Sequence, residues 1–151
     1  MSNETTDRFG LGGVDQIGYV VADMAASMPH YEALFGPFAV FEAQLDGALF
    51  RGQQIDCKLK IATNNSGPVE IELIEVLEGE TPHSEHLREH GEGPQHVRFR
   101  IDGIEAKLAE LETAGYTSIF FKRFGPGVAF AYLESPQQMG GKTIELLEMP
   151  G

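Results

Sequence analysis

The sequence predicts an α+β fold built from two β-α-β-β-β modules related by internal duplication. Two observations lead there. The first is a repeated pair of end segments. One module opens with Val14-Asp15-Gln16-Ile17-Gly18-Tyr19-Val20-Val21 and closes with Val69-Glu70-Ile71-Glu72-Leu73-Ile74-Glu75. The other opens with Pro94-Gln95-His96-Val97-Arg98-Phe99-Arg100-Ile101 and closes with Lys142-Thr143-Ile144-Glu145-Leu146-Leu147-Glu148. Gln16 and His96 hold matching places in the openings, and Glu72 and Glu145 hold matching places in the closings. The second observation is the shared order between those ends: a strand, a helix, then further strands. The modules span about 14–77 and 94–148 within one domain of 14–148, and 151 residues suit a single domain.

Taken in order, residues 14–21 alternate with period two, with Ile17, Tyr19 and Val21 on one face and Gln16, Gly18 and Val20 on the other. A helix is expected over Met28 to Leu34, with Ser27 as its cap, Pro29 in its first turn and Gly36-Pro37 as its stop. Phe38 to Phe41, Ala48 to Arg51, Cys57 to Ile61 and Val69 to Val76 read as strands. Asp46-Gly47 and Asn64-Asn65-Ser66-Gly67-Pro68 read as turns between them. The linker from Glu78 to Gly93 carries a short helical stretch over Ser84 to His90. His96 to Ile101 is the next strand, and Asp102 caps a helix from Gly103 to Ala114, with Gly115 as its stop. Ile104, Leu108 and Leu111 share one face of that helix. Ser118 to Lys122, Ala129 to Leu133 and Thr143 to Glu148 complete the strands. Gly125-Pro126-Gly127 is a turn and not a phosphate loop, because no G-x-x-x-x-G-K pattern exists.

Bulk composition narrows the partners. The chain carries 11 Lys+Arg against 23 Asp+Glu, a net charge of −12, which argues against nucleic acid or an anionic membrane. No apolar run reaches the ~18 residues of a transmembrane helix. Residues 1–13 are polar and glycine-rich without a hydrophobic stretch, so they read as a flexible tail and not a secretion signal, and the cytoplasm is the expected compartment. Cys57, the single cysteine, shares its face with Leu59 and Ile61 and reads as a buried structural thiol.

Strand parity locates the chemistry. Val97, Phe99 and Ile101 oppose His96, Arg98 and Arg100; Ile71 and Leu73 oppose Glu70, Glu72 and Ile74. The aliphatic faces are expected to pack against the helices. Gln16, Glu72, His96 and Glu145 fall on the other face, lining a cleft, with Lys58, Lys60 and Arg98 as further candidates for it. An amide, an imidazole and two carboxylates form a mostly hard set, suited to Zn, Ni, Co, Mn or Mg.

The segments VDQIGYVVADM with YEALFG, GEGPQHVRFRIDGI, VEIELIE and KTIELLE together resemble the vicinal oxygen chelate superfamily over roughly residues 14–148. That superfamily includes glyoxalases (lactoylglutathione lyases), methylmalonyl-CoA epimerases, extradiol dioxygenases and bleomycin-sequestering resistance proteins. The resemblance implies a half-open mixed β-barrel around a divalent ion held by Gln16, Glu72, His96 and Glu145. It implies proton transfer alpha to a carbonyl through a metal-stabilised enolate, by an epimerase or isomerase acting on an acyl-CoA or similar small molecule, in a homodimer. Glu145 is the expected base and Glu72 its pseudo-symmetric alternative. The Gln-Glu-His-Glu set matches a branch of lactoylglutathione lyases, so a lyase acting on a glutathione adduct is the enzymatic alternative. A non-catalytic, antibiotic-sequestering protein is the alternative from another class. The epimerases carry His where this chain has Gln16 and Gln95. Oxygen-dependent ring cleavage is disfavoured because Gln16 stands where an iron triad wants a histidine.

Secondary candidates are Glu42 as a second base across the cleft, and Lys122 and Arg123 as contacts for a phosphate or carboxylate. His83, His86 and His90 lack the acid of an H-E-x-x-H motif in register and read as part of a solvated helix. Phe120, Phe121, Phe124, Phe130 and Tyr132 either wall the cleft or fill the core.

Overall fold

The computed structural model describes residues 7–150. The first module comprises Gln16–Val20 (β1), Met24–Phe35 (α1), Ala39–Phe50 (β2), Gln53–Asn64 (β3) and Glu70–Glu78 (β4). Pro82–His90 (α2) links it to the second, which comprises Gly93–Arg100 (β5), Ile104–Glu112 (α3), Thr117–Gly125 (β6), Val128–Glu134 (β7) and Thr143–Glu148 (β8). Both modules pair their strands in the same order, opening strand parallel to closing strand and the other two antiparallel beside it. The α+β architecture of two β-α-β-β-β units is therefore present, and the eight strands form one mixed barrel in the ring order β1-β4-β3-β2-β6-β7-β8-β5.

Two seams join the modules, and they are unequal. Along the first, β1 pairs antiparallel with β5 over its whole length. Along the second, β2 meets β6 only where Leu49 faces Phe121 and Phe50 faces Phe120. Ala39 to Gln44 of β2 have a strand partner on the β3 side alone. The ring is thus closed, where a half-open barrel was expected, and its second seam is the short one.

Several boundaries shift from expectation for physical reasons. α1 starts about one turn early because Asp23, not Ser27, caps it, its carboxylate accepting from Ala26 N. Asp46-Gly47 is a β-bulge and not a turn: Gly47 adopts φ +69° and donates its N–H to the Asp56 carboxylate, so β2 runs on through it. The reversal falls at Arg51-Gly52, both at positive φ (49° and 84°), the geometry of a two-residue hairpin. α3 has Gly103 at its N-cap with no side-chain cap, so Asp102 does not play that part.

Three apolar clusters hold the fold. Leu45, Phe50, Cys57, Leu59, Ile74, Phe120 and Tyr132 fill the barrel interior. Val21, Met24, Ala62 and Leu73 pack α1 on the outside, and Ile101, Ile104, Leu111, Leu133 and Leu146 do the same for α3. Cys57 is buried, and burial pushes its thiol up to about 11. Of the segment expected to be a flexible tail, residues 1–6 lie outside the described residues. Phe9 and Leu11 pack against the α3 cluster, and Asp7 accepts the backbone N–H groups of Leu11 and Gly12. Among the described residues no helix is long and apolar enough to cross a membrane.

Candidate metal centre

β4, β1, β5 and β8 are consecutive in the ring, and each sends one of the four predicted residues into the barrel. Gly18 stands opposite both Glu72 and His96. One step along, Gln16 faces Arg98, and Arg98 faces Glu145. This register makes the four side chains converge on one nitrogen. His96 Nε2 lies 2.8 Å from Gln16 Oε1, 3.1 Å from Glu145 Oε1 and 3.4 Å from Glu72 Oε1. The candidate ligand atoms of Glu72, His96 and Glu145 all lie within 4.8 Å of one another. Gln16, His96 and Glu145 are buried, and the Glu72 side chain nearly so.

Neighbouring groups orient each donor. Gln16 Nε2 donates to Glu70 Oε1 at 2.5 Å, which turns its carbonyl oxygen toward His96. His96 Nδ1 sits 2.6 Å from Gln95 Oε1. That oxygen only accepts, so Nδ1 carries the proton and Nε2 is the atom presented to the carboxylates. Gln95 occupies a β-bulge, since Gly18 pairs with His96 and Tyr19 with Pro94, leaving it as the extra residue. The bulge lets two adjacent side chains meet on one side of the strand. Burial lowers the His96 pKa, but hydrogen bonding and charge from Glu145 and Glu72 outweigh it and push the imidazole up to about 9. Gly18 supplies the space: a Cβ there would lie 2.0 Å from His96 Cε1 and 2.5 Å from Nε2.

Two observations bear on whether these residues suit a divalent ion. Glu72 Oε1 is buried without a hydrogen-bond partner, and one imidazole nitrogen faces three side-chain oxygens. A nitrogen with three oxygens is a donor set for a borderline or hard ion, and a hydrogen bond on the far side of the histidine ring is the usual partner of a metal-ligating imidazole. The set fits.

The remaining candidates divide by face. Arg98 shares the interior face and closes one end of the cluster, pairing with Asp15 at 2.9 Å and lying 3.6 Å from Glu70. Lys58 and Lys60 do not join it. Cys57 and Leu59 point inward, so the alternating lysines point out, and Lys58 pairs with Glu42 at 3.1 Å on that outer face. Glu42 is thus excluded as a second base across the cleft. Arg123 also faces outward, held by Glu105 of α3 at 2.7 Å. Lys122 stands beside the short β2–β6 seam, its ammonium donating to the Asp46 carbonyl at 2.6 Å and lying 5.3 Å from the centre of the half-exposed Phe124 ring. Phe120, Phe130 and Tyr132 belong to the interior, and Phe121 packs outward with the α3 cluster.

The α2 histidines need correction. His90 is exposed and His86 partly so, but His83 is buried against Tyr132 and Phe120 instead of lying on a solvated helix. Thr81 Oγ1 accepts the N–H groups of His83 and Ser84, so its own proton goes to His83 Nδ1 at 3.2 Å. His83 Nε2 then donates to the Tyr132 hydroxyl at 2.7 Å. The sequence assigns no role to Gly18 or Gln95, and it places His83 on a solvated helix and Tyr132 in either the cleft wall or the core. An interior-facing glycine inside an alternating strand was the one available signal among them.

Residues 15–132 match the Glyoxalase/Bleomycin resistance protein/Dioxygenase superfamily, and the chain belongs to it. It is 25% identical over 143 residues to the uncharacterized protein YqjC of Bacillus subtilis, covering 93% of this chain and 95% of that one. Its fold is similar to that of the hypothetical protein BH1468 from Bacillus halodurans (TM-score 0.65, 24% identity, 92% and 95% of the two chains). It is also similar to methylmalonyl-CoA epimerase from Mycobacterium tuberculosis (TM-score 0.60, 20% identity, 92% and 89%). A third similar structure is a variant of the Streptomyces coelicolor methylmalonyl-CoA epimerase in complex with 2-nitronate-propionyl-CoA (TM-score 0.62, 21% identity, 91% and 97%).

Proposed function

We propose that this chain holds one divalent ion through Gln16, Glu72, His96 and Glu145 and catalyses proton transfer alpha to a carbonyl, as an epimerase or isomerase of an acyl-CoA or similar molecule. The observation that carries this reading is the convergence of three side-chain oxygens on His96 Nε2 inside the barrel. A bound divalent ion supplies Lewis-acid stabilisation of the negative charge that develops on the carbonyl oxygen. The protein residues do the rest. Gln95 fixes the His96 ring, and Glu70 fixes the Gln16 amide. Glu145 takes the proton from carbon and returns it, with Glu72 as the alternative base. Phe130 and Tyr132, both in the interior cluster, exclude water, and Lys122 meets an anionic part of the substrate. The structural likeness to methylmalonyl-CoA epimerases supports the choice of an acyl-CoA.

The test is solvent deuterium exchange at the α-carbon of methylmalonyl-CoA, comparing metal-loaded protein, chelated protein and Glu145→Gln. Exchange that requires both the metal and Glu145 is the expected result. Absence of exchange with one metal ion bound per chain would discard this substrate, and a glutathione hemithioacetal would be the next one offered.

A further inference from the structure

A second site lies behind His96. A cavity of about 510 Å³ opens between α2 and the outer face of β1, β5 and β8. That size falls in the range of small-molecule pockets. Ile17, Val97 and Ile144 give it an apolar floor. These side chains alternate with Gln16, His96 and Glu145, so the floor belongs to the face turned away from the metal cluster.

Polar groups mark one end and the rim. Gln95 lines the cavity, is only 6% exposed, and has a carboxamide nitrogen buried without a hydrogen-bond partner. Its oxygen is committed to His96 Nδ1, so the nitrogen cannot be satisfied by turning the amide over without giving up that bond. A buried donor left without an acceptor is costly, and an acceptor placed in the cavity would relieve it. Lys142 and His86 also line the cavity, and among the described residues the Lys142 ammonium has no ion-pair or hydrogen-bond partner. Three carboxylates also line the rim, Glu85, Glu89 and Glu134, and Arg51 pairs with the first and the last of them. The buried Gln95 N–H and the Lys142 ammonium are the donors that this cavity offers an anionic group.

We propose that this cavity binds a small monocarboxylate with an apolar body, its hydrocarbon on Ile17, Val97 and Ile144 and its carboxylate accepting from Gln95 Nε2 and Lys142. The cavity adjoins the proposed metal centre: His96 is among its lining residues, and Gln95 joins the two by its hydrogen bond to His96 Nδ1. It does not depend on which reaction occurs on the other face.

Octanoate is the probe. It is titrated into the full chain, with and without zinc, and followed by calorimetry and by the ¹⁵N–¹H resonances of the glutamine side chains. The expected result is saturable binding with a shift of the Gln95 amide. Lys142→Gln should weaken binding about tenfold, the loss of one charge-assisted hydrogen bond. Ile144→Trp, which fills the floor, should weaken it at least as much. Binding without a Gln95 shift, or binding that survives both variants, would place octanoate elsewhere and overturn the proposal. So would a chain that sediments as a dimer and whose Gln95 resonance responds to dilution but not to octanoate, because a second copy would then cover this face.

Discussion

His83 and His96 are both buried, and both rings rest against Tyr132, with centroids 5.2 Å and 5.1 Å from it. Their surroundings otherwise share little. His96 faces two carboxylates and an amide oxygen; His83 touches two neutral hydroxyls. Burial depresses both, and its effect prevails at His83, helped by the His96 charge, which leaves that imidazole at about 3. At His96 the carboxylates win and hold it at about 9. Partners, not depth, decide whether a buried histidine is a cation, a ligand or a structural hydrogen-bonding group. On the proposed function His96 serves the metal centre, and His83 serves the architecture.

The sharpest way to break that assignment is to remove each ring. His96→Ala should lose stoichiometric zinc or nickel binding altogether, while His83→Phe should keep one ion per chain, both read by metal analysis after dialysis. Metal loss in His83→Phe that is not accompanied by unfolding would join the two histidines into one functional unit.

Gly18→Ala probes the same ring without touching it. The added Cβ has no room beside His96, so the imidazole must leave the carboxylates or the strand must shift. Metal affinity should fall about a hundredfold, comparable to the upper range for loss of a supporting contact around a metal site. Retained affinity would mean that the ring is not held over Gly18 when metal is bound. Gln95→Leu removes the orienting acceptor but leaves the ring in place, and about a tenfold loss is expected. Competition with a metal indicator dye measures both.

The same contrast explains what could be read from sequence. Gln16, Glu72, His96 and Glu145 were legible because strand parity and duplication report independently on one face, and the barrel brings those positions together. Lys58, Lys60 and Glu42 were misplaced or left open because parity says which residues share a face, not which face turns inward. Cys57 and Leu59, apolar and on the alternate positions, already pointed to the answer. Gln95 escaped because a bulge suspends the alternation at that residue. His83 escaped because the first turn of a polar helix gives no sign that a barrel end waits to receive it. The bulge at Asp46-Gly47 hid the length of β2 in the same way, since the residues of a hairpin turn and of a bulge are alike.

The two histidines also predict opposite pH dependence of stability, in windows that do not overlap. His83 has a folded pKa of about 3, below its unfolded value near 6.5. Between these values the unfolded chain binds the extra proton, so stability falls as pH drops. From pH 6.5 to 4.5 the loss from this group is about 2 kcal/mol. In metal-free protein His96 is raised instead, to about 9, so its contribution is complete below pH 6.5 and fades as pH rises toward 9. Carboxylates titrate in the acid window too, so the measurement is a difference: urea unfolding of metal-free wild type and His83→Phe at pH 6.5 and 4.5. The variant starts less stable, by about 1–3 kcal/mol, because Thr81 and Tyr132 each lose a partner. It should then lose about 2 kcal/mol less than wild type on acidification. Equal losses in the two proteins would mean that His83 takes up a proton in the folded barrel, and the architectural assignment would fail.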